Sequence, residues 1–223
     1  MSLTETQIRR YSRHVLLPEV GGVGQKRLLE SSALIVFTPE GHGAAAAAAT
    51  YLIAGGVGGI GWCPVSSGES LVPEDGNISG LTGLYDPAGP AASAAALNPD
   101  ARFEMVEDAG AVSALYDLLV LSGRGEELDR AAARFEERGR PVLRGVREGW
   151  AGAVLAGSEV LNSEDFPPEA VEEPLPAAPP EGVLGAMLAS FALRTLLRGG
   201  ESVGSTALAR FDLSRGLMEK VSR

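Results

Sequence analysis

Two glycine-rich stretches have the composition to cradle a phosphate. Gly56-Val57-Gly58-Gly59-Ile60-Gly61 spells G-x-G-x-x-G, and Thr38-Pro39-Glu40-Gly41-His42-Gly43 is a shorter turn upstream. Such a loop works only where a strand precedes it and a helix follows, so that helix N-terminal N–H groups face the anion. Other chemistry-bearing residues are few. The chain has one cysteine, Cys63, two histidines, His14 and His42, and lysine only at positions 26 and 220. One Cys and two His cannot close a structural zinc site of the common kinds, so no metal ligand set is assigned. A disulfide within the chain is impossible. No lysine side chain can act between residues 27 and 219. No G-x-S-x-G motif or nucleophilic triad is visible.

The flanking elements decide between the two turns. Ala33–Phe37 is a continuous apolar run bounded by Ser31-Ser32 and Thr38-Pro39, the pattern of a buried parallel strand. Ala44–Ala54 is alanine-rich, which favours a helix able to approach a sheet closely. Residues 33–54 therefore read strand, turn, helix. The G-x-G-x-x-G lies after that helix and before a strand at Ile60–Val65, so helix carbonyls would face it, the wrong polarity for an anion. Gly55 or Gly56 is expected to form a left-handed helix cap. Any nucleotide loop is the turn at 38–43.

The remaining pattern continues the alternation. Thr4-Glu5-Thr6-Gln7 is a capping box that starts a helix through Ile8 and Tyr11. Pro18 and Gly21-Gly22 break it, and a short helix follows at Gln25–Leu29. Strands are predicted at Arg102–Val106, Asp117–Leu121, Arg140–Leu143 and Ala151–Leu155, with a helix at Leu128–Arg138. An apolar helix spans Val183–Leu197, and Thr206–Leu213 with Leu217–Val221 forms a closing hairpin. The fold class is α/β: a Rossmann-like, mostly parallel sheet flanked by helices, with an antiparallel C-terminal part. Residues 1–223 form one domain, with an N-terminal helical arm at 1–31. Residues 158–181 carry six prolines, seven acids and no base, and are expected to be an exposed, extended loop.

With 223 residues, 45% of them hydrophobic and 22% charged, a full globular core is available. A net charge of −10 and a pI near 4.8 argue against nucleic acid or an anionic membrane surface as partner. No apolar run is long enough to span a bilayer and no signal-peptide pattern is present, so a cytoplasmic location is the default expectation.

Several pieces fall in a recognisable order. Arg10-Tyr11-Ser12-Arg13-His14-Val15-Leu16-Leu17, then Gly24-Gln25, then the Ala33–Val36 strand, resemble the opening of the MoeB/ThiF/HesA family, bacterial relatives of ubiquitin-activating enzymes. Tyr51-Leu52 with Ala54-Gly55-Gly56-Val57-Gly58 is similar to the family's helix exit. Asn98-Pro99, the strand at Asp117–Leu121, the helix at Gly182–Gly199 and Ala209-Arg210-Phe211-Asp212 follow in the same order, so the resemblance covers almost the whole chain. It implies the family fold, a dimer, and adenylation of the C-terminal glycine of a ubiquitin-like sulfur carrier with ATP and Mg²⁺.

Carried across residue by residue, the resemblance implies that most of this machinery is missing. In the family's G-x-G-G-x-G turn two glycines have become Thr38 and Glu40, while Gly41 and Gly43 remain. Glu40 places a negative charge where a polyphosphate would lie. At roughly 4 Å and an effective dielectric near 20, each such like-charge pair costs about 4 kcal/mol. Cys63-Pro64-Val65-Ser66 stands where an acid would hold the ribose. Asn77-Ile78-Ser79-Gly80 resembles the family's N-L-x-R with glycine for the phosphate-binding arginine, leaving Asn77 as a cofactor-binding candidate beside Gly41 and Gly43. The metal-binding aspartate falls at Arg124, the family lysine has no counterpart, and both zinc-binding C-x-x-C pairs and the crossover cysteine are absent. Arg13 survives, at the position that in the family reaches into the partner subunit's ATP site; as a residue alone it reads equally well as a surface arginine.

The resulting expectation is a protein that has lost adenylation and acts as a dimerising scaffold, as a homodimer or paired with an active paralogue. Two alternatives stand beside it. One is an active ATP-dependent adenylyltransferase for a sulfur carrier of the molybdopterin or thiamine type. The other is a small-anion binder in which His42, Arg124, Arg144 and Arg147 line the old cleft.

Overall fold

The computed structural model describes residues 3–65, 90–167, 178–199 and 207–222. Eight strands form a single sheet in the order β3-β2-β1-β4-β5-β6-β7-β8, where β1 is Ser32–Phe37, β2 Gly59–Pro64, β3 Arg102–Met105, β4 Leu118–Ser122, β5 Val142–Glu148, β6 Ala151–Ala156, β7 Ala207–Asp212 and β8 Leu217–Ser222. The first five run parallel and the last three pairings are antiparallel. The order reverses between β1 and β4, which opens a crevice beyond their C-terminal ends at Thr38 and Gly123.

One face of the sheet is covered by α4 (His42–Gly55) and α8 (Ala178–Leu197). The alanine run has a packing reason. Ala44–Ala49 are all buried, squeezed between β1 and α8. A Cβ built on Gly185 of α8 would lie 2.5 Å from the Ala44 carbonyl oxygen and from the Ala47 Cβ, so the two helix backbones nearly touch. Larger residues at these positions would force the helices apart. The opposite face carries α7 (Glu126–Glu136), whose Leu128, Ala132 and Phe135 pack on Leu119, Leu121 and Val142.

Differences from the sequence reading are local. The glycines at 21 and 22 do not break a helix but open one, α3 (Gly21–Glu30), with Gly21 at φ +59°. The arm before it is two short helices, α1 (Glu5–Arg10) and α2 (Ser12–Val15). Helices α5 (Pro90–Leu97) and α6 (Ala109–Val112) carried no strong periodic signal. Strand β5 runs on to Glu148 because its partner β6 continues the pairing to Glu148↔Ala151. The acidic segment at 158–181 is not simply an exposed loop. Leu161 and Phe166 are buried in a third cluster with Val146, Leu155 and Leu208, and α8 already begins at Ala178; residues 168–177 lie outside the described ones. Two apolar anchors among the prolines suffice to cover the antiparallel end of the sheet. Among the described residues no helix is long and apolar enough to cross a membrane.

Candidate functional site

The arm motif and the helix-exit glycines meet in space. The Tyr11 ring is 1% exposed, and its hydroxyl lies 3.2 Å from Asn98 Oδ1 and from Asp100 Oδ2. Asn98 Nδ2 donates to the Tyr11 hydroxyl at 2.8 Å and to the Ile53 carbonyl at 2.7 Å, tying the arm to the last turn of α4. Arg10 pairs with Asp100 at 3.2 Å. Gln25 donates to the Gly55 carbonyl and receives His14 Nδ1–H at 3.1 Å. Gly56 caps α4 in the left-handed region at φ +88°, and a Cβ there would meet Gln25 at 2.4 Å and the Tyr11 ring at 2.7 Å. Burial, with Asp100 beside it, pushes the Tyr11 phenol up to about 12 against a counter-pull from its Asn98 hydrogen bond. The glycines of the opening fingerprint are thus a packing motif, as the helix-before-glycine order predicts. Arg13, two residues on, is exposed on α2 and enters no ion pair among the described residues.

The crevice between β1 and β4 holds the turn at 38–43. Residues Pro39–Gly41 form a single 3₁₀ turn leading into α4. Three of its backbone donors are bonded to backbone carbonyls. Thr38 N–H bonds to the Ser122 carbonyl at 3.1 Å, Gly41 N–H to the Thr38 carbonyl at 2.9 Å, and His42 N–H to the Pro39 carbonyl, while Pro39 has no N–H at all. Gly41 is required by the fold: a Cβ there would sit 2.1 Å from the Ser122 carbonyl oxygen. Ser122 Oγ in turn donates to the Gly41 carbonyl at 2.8 Å. Gly43 is buried in the first turn of α4. Asn77 lies outside the described residues.

The four residues expected to line an anion pocket do not assemble. Arg124 and Arg147 reach the crevice, but each faces a carboxylate. Arg124 bonds to Glu148 at 2.5 Å and lies 5.2 Å over the Phe166 ring. Arg147 lies 3.8 Å from Glu181. Arg144 is 1% exposed on the other face of the sheet, where it holds Asp129 of α7 at 2.6 Å. The alternation along β5 sends residues 144 and 147 to opposite faces. His42 is packed in an aromatic group with Phe37 and Trp62, and burial lowers its pKa, so the imidazole is neutral. Glu181 was missed in the sequence because it sits at the edge of the acidic segment; its carboxylate is buried, which raises its pKa against the pull of Arg147.

Among the described residues, hollows follow the crevice. A cavity of about 70 Å³ lies at the start of α4, between Gly41, Arg124, Arg147 and Glu181. Beside it is an open cleft of about 330 Å³ bordered by Glu40, Arg124, Glu126, Glu127 and Arg130. A wider one of about 820 Å³ lies between Cys63, Asp108, Arg130 and Arg134. The Cys63 thiol, buried in its wall, is pushed up to about 11 by that burial and is protonated at neutral pH. No cluster of three or more His, Cys, Asp or Glu side chains suited to a metal exists among the described residues.

The strand order and the crevice define a protein of the doubly wound α/β class. No protein-family model matches the sequence. It is 30% identical over 239 residues to the SAMP-activating enzyme E1 of Haloferax volcanii, covering 93% of this chain and 83% of that protein. It is 29% identical over 211 residues to the probable adenylyltransferase/sulfurtransferase MoeZ of Mycobacterium tuberculosis, covering 86% of this chain but only 52% of the longer relative. Among solved structures, PaaA superposes with a TM-score of 0.71 over 99% of this chain and 75% of that one, at 16% identity, a likeness of fold. The chain belongs to the MoeB/ThiF/HesA family.

Proposed function

We propose that this chain is a family member that does not adenylate, and that it serves as a dimerising scaffold. The family activity, adenylation of a ubiquitin-like sulfur carrier, needs backbone N–H groups aimed at the phosphates and a metal-holding carboxylate. The observation that carries the proposal lies in the turn at 38–43. Three of its amides are spent on carbonyls of the fold and Pro39 supplies none. Arg124 takes the place of the metal-binding aspartate and is neutralised by Glu148. Glu40 adds a carboxylate at the rim of the same crevice.

The scaffold half of the proposal rests on the arm. On the arm, Leu16 and Val23 are 81% and 77% exposed, and Ile8 and Leu17 are about half exposed. Apolar residues grouped this way favour a protein partner. The partner is a second copy or an active paralogue, to which Arg13 on the same arm would be presented; a carrier protein is a further candidate. ATP–pyrophosphate exchange in the presence of a GlyGly-ended carrier and Mg²⁺ tests the first half. No exchange above background is expected, and carrier-dependent exchange abolished by Arg124→Ala would refute it.

A further inference from the structure

The widest hollow, about 820 Å³, lies where the ends of β1 and β2 meet α6 and α7. Its charged lining is divided between two elements. Glu107 and Asp108 stand just before α6. Glu127, Arg130, Arg134 and Arg138 stand on α7 and the turn after it, at a helical spacing that sets them along one face. Val36, Val65 and Ala131 supply apolar surface.

Asp108 and Arg134 are neighbours that do not pair with each other. A Cβ built on Gly110 would lie 3.2 Å from Asp108 Oδ1 and 4.0 Å from Arg134 Cγ, so the carboxylate and the arginine stem approach the same point. Asp108 Oδ1 instead accepts from the N–H groups of Gly110 and Ala111, and the Arg134 guanidinium reaches Glu137 at 3.2 Å. Glu107 has no hydrogen bond or ion pair among the described residues, and the Arg138 guanidinium bonds there only to the Arg134 carbonyl, at 3.3 Å. Arg130 and Arg134 are 67% and 60% exposed in their side chains, and ion pairs so exposed give way at little cost. The Cys63 thiol in the wall is raised first by burial and then by the Asp108 and Glu127 carboxylates, against a hydrogen bond with the Ala109 backbone. The lining beside Cys63 is therefore acidic, and along α7 it turns basic towards Arg134 and Arg138. A bare anion at Arg134 would meet the Asp108 carboxylate, and a bare cation at Asp108 would meet the arginines. A molecule carrying both charges meets neither penalty.

We propose that this cleft binds a small zwitterion, an α-amino acid or a short linear peptide, with its ammonium facing Asp108 and Glu107 and its carboxylate facing Arg134 and Arg138. The site goes beyond the scaffold function and does not depend on it. Carrier-dependent ATP–pyrophosphate exchange would refute the loss of adenylation without touching this cleft, and failure of zwitterions to bind would leave the scaffold role standing.

The test is a titration of the full chain near neutral pH, followed by the methyl NMR signals of Val65 and Ala111. Leucine and leucyl-leucine carry both charges, N-acetyl-leucine only the carboxylate and leucinamide only the ammonium. Saturable shifts with leucine or leucyl-leucine are expected, at least about tenfold tighter than with either singly charged analogue. Tighter binding of leucyl-leucine than of leucine identifies a short peptide; otherwise the occupant is a free amino acid. Asp108→Asn keeps a capping residue for α6 and removes the charge. It is expected to weaken zwitterion binding by about tenfold or more and to leave N-acetyl-leucine unchanged. Arg134→Gln, at an exposed position, is expected to weaken zwitterions equally and to leave leucinamide unchanged. Either singly charged analogue binding as tightly as the zwitterions, no saturation by either zwitterion, or zwitterion binding unchanged in either variant overturns the proposal.

Discussion

The hydroxyl of Tyr11 gives a sharp test of how the arm is held. Tyr11→Phe deletes one oxygen that receives Asn98 Nδ2–H at 2.8 Å and lies 3.2 Å from Asp100 Oδ2, in a ring that is 1% exposed. Asn98 keeps its bond to the Ile53 carbonyl, and Asp100 keeps Arg10, so neither partner is stranded. The loss is then that of one buried hydrogen-bonding group, about 1–2 kcal/mol at neutral pH. In a domain of this size that lowers Tm by roughly 3–6 °C. The alkaline limb adds a second signature. In the folded chain the phenol is raised from 10 to about 12. Because the folded state prefers the protonated form, the stabilisation is whole below pH 10 and drains away as pH rises towards 12. The gap between wild type and Tyr11→Phe should therefore shrink from pH 10 upward and close or reverse as pH approaches 12, since a shift of this size is worth about 2–3 kcal/mol in full. Other buried groups also titrate there, Tyr116 upward through burial and its contact with Glu104, and Cys63 through burial, but both proteins share them. Urea unfolding of the two proteins from pH 7 to 11.5 reads the difference. A gap that stays constant across that range, or no gap at pH 7, would refute the hydrogen-bonded, buried placement of the ring.

Gly56→Ala is expected to destabilise by more than about 2 kcal/mol, since it combines left-handed backbone strain with a Cβ 2.4 Å from Gln25; urea midpoints check this. The double variant Leu16→Glu/Val23→Glu should leave the unfolding midpoint of the monomer nearly unchanged while abolishing dimers in sedimentation velocity; a wild-type chain that is already monomeric at high concentration would contradict the scaffold role. Glu181→Gln is expected to raise stability at neutral pH. The buried carboxyl has a raised pKa, so its contribution is whole below the unfolded value and lost as pH rises, and the amide removes that loss; the gain should vanish in urea titrations near pH 4.

The elements that position the crevice were legible in order and type because each carries a strong local signal. The Ala33–Phe37 run, buried on both faces, can only be an inner strand, and the helix following it was marked by alanine propensity. The polarity of the chain around Gly56 argues against a phosphate loop from sequence alone, since the direction of a helix fixes which backbone groups its ends expose. Residue identity alone also fixed what is missing: no lysine between 27 and 219 and one cysteine in all. Glycine at that helix exit marks a cap, and Gly56 caps α4, but its second purpose, making room for Tyr11, depends on a residue 45 positions earlier returning to the same spot.

The tertiary structure decided what charges do. Arg124, Arg144 and Arg147 look alike in the sequence, yet β5 sends Arg144 to Asp129 on one face and Arg147 to Glu181 on the other, while Arg124 comes off the end of β4 to Glu148. Side-chain direction along a strand alternates with a period of two, but which face meets which helix depends on how the sheet is wound. Glu181 is the clearest case. Its neighbours are prolines and acids that mark an exposed segment, and only the docking of α8 against α4 buries its carboxylate beside an arginine more than thirty residues away. Local composition records what a segment would do in water. The pairing of its charges is set by long-range packing, which no short window of sequence contains.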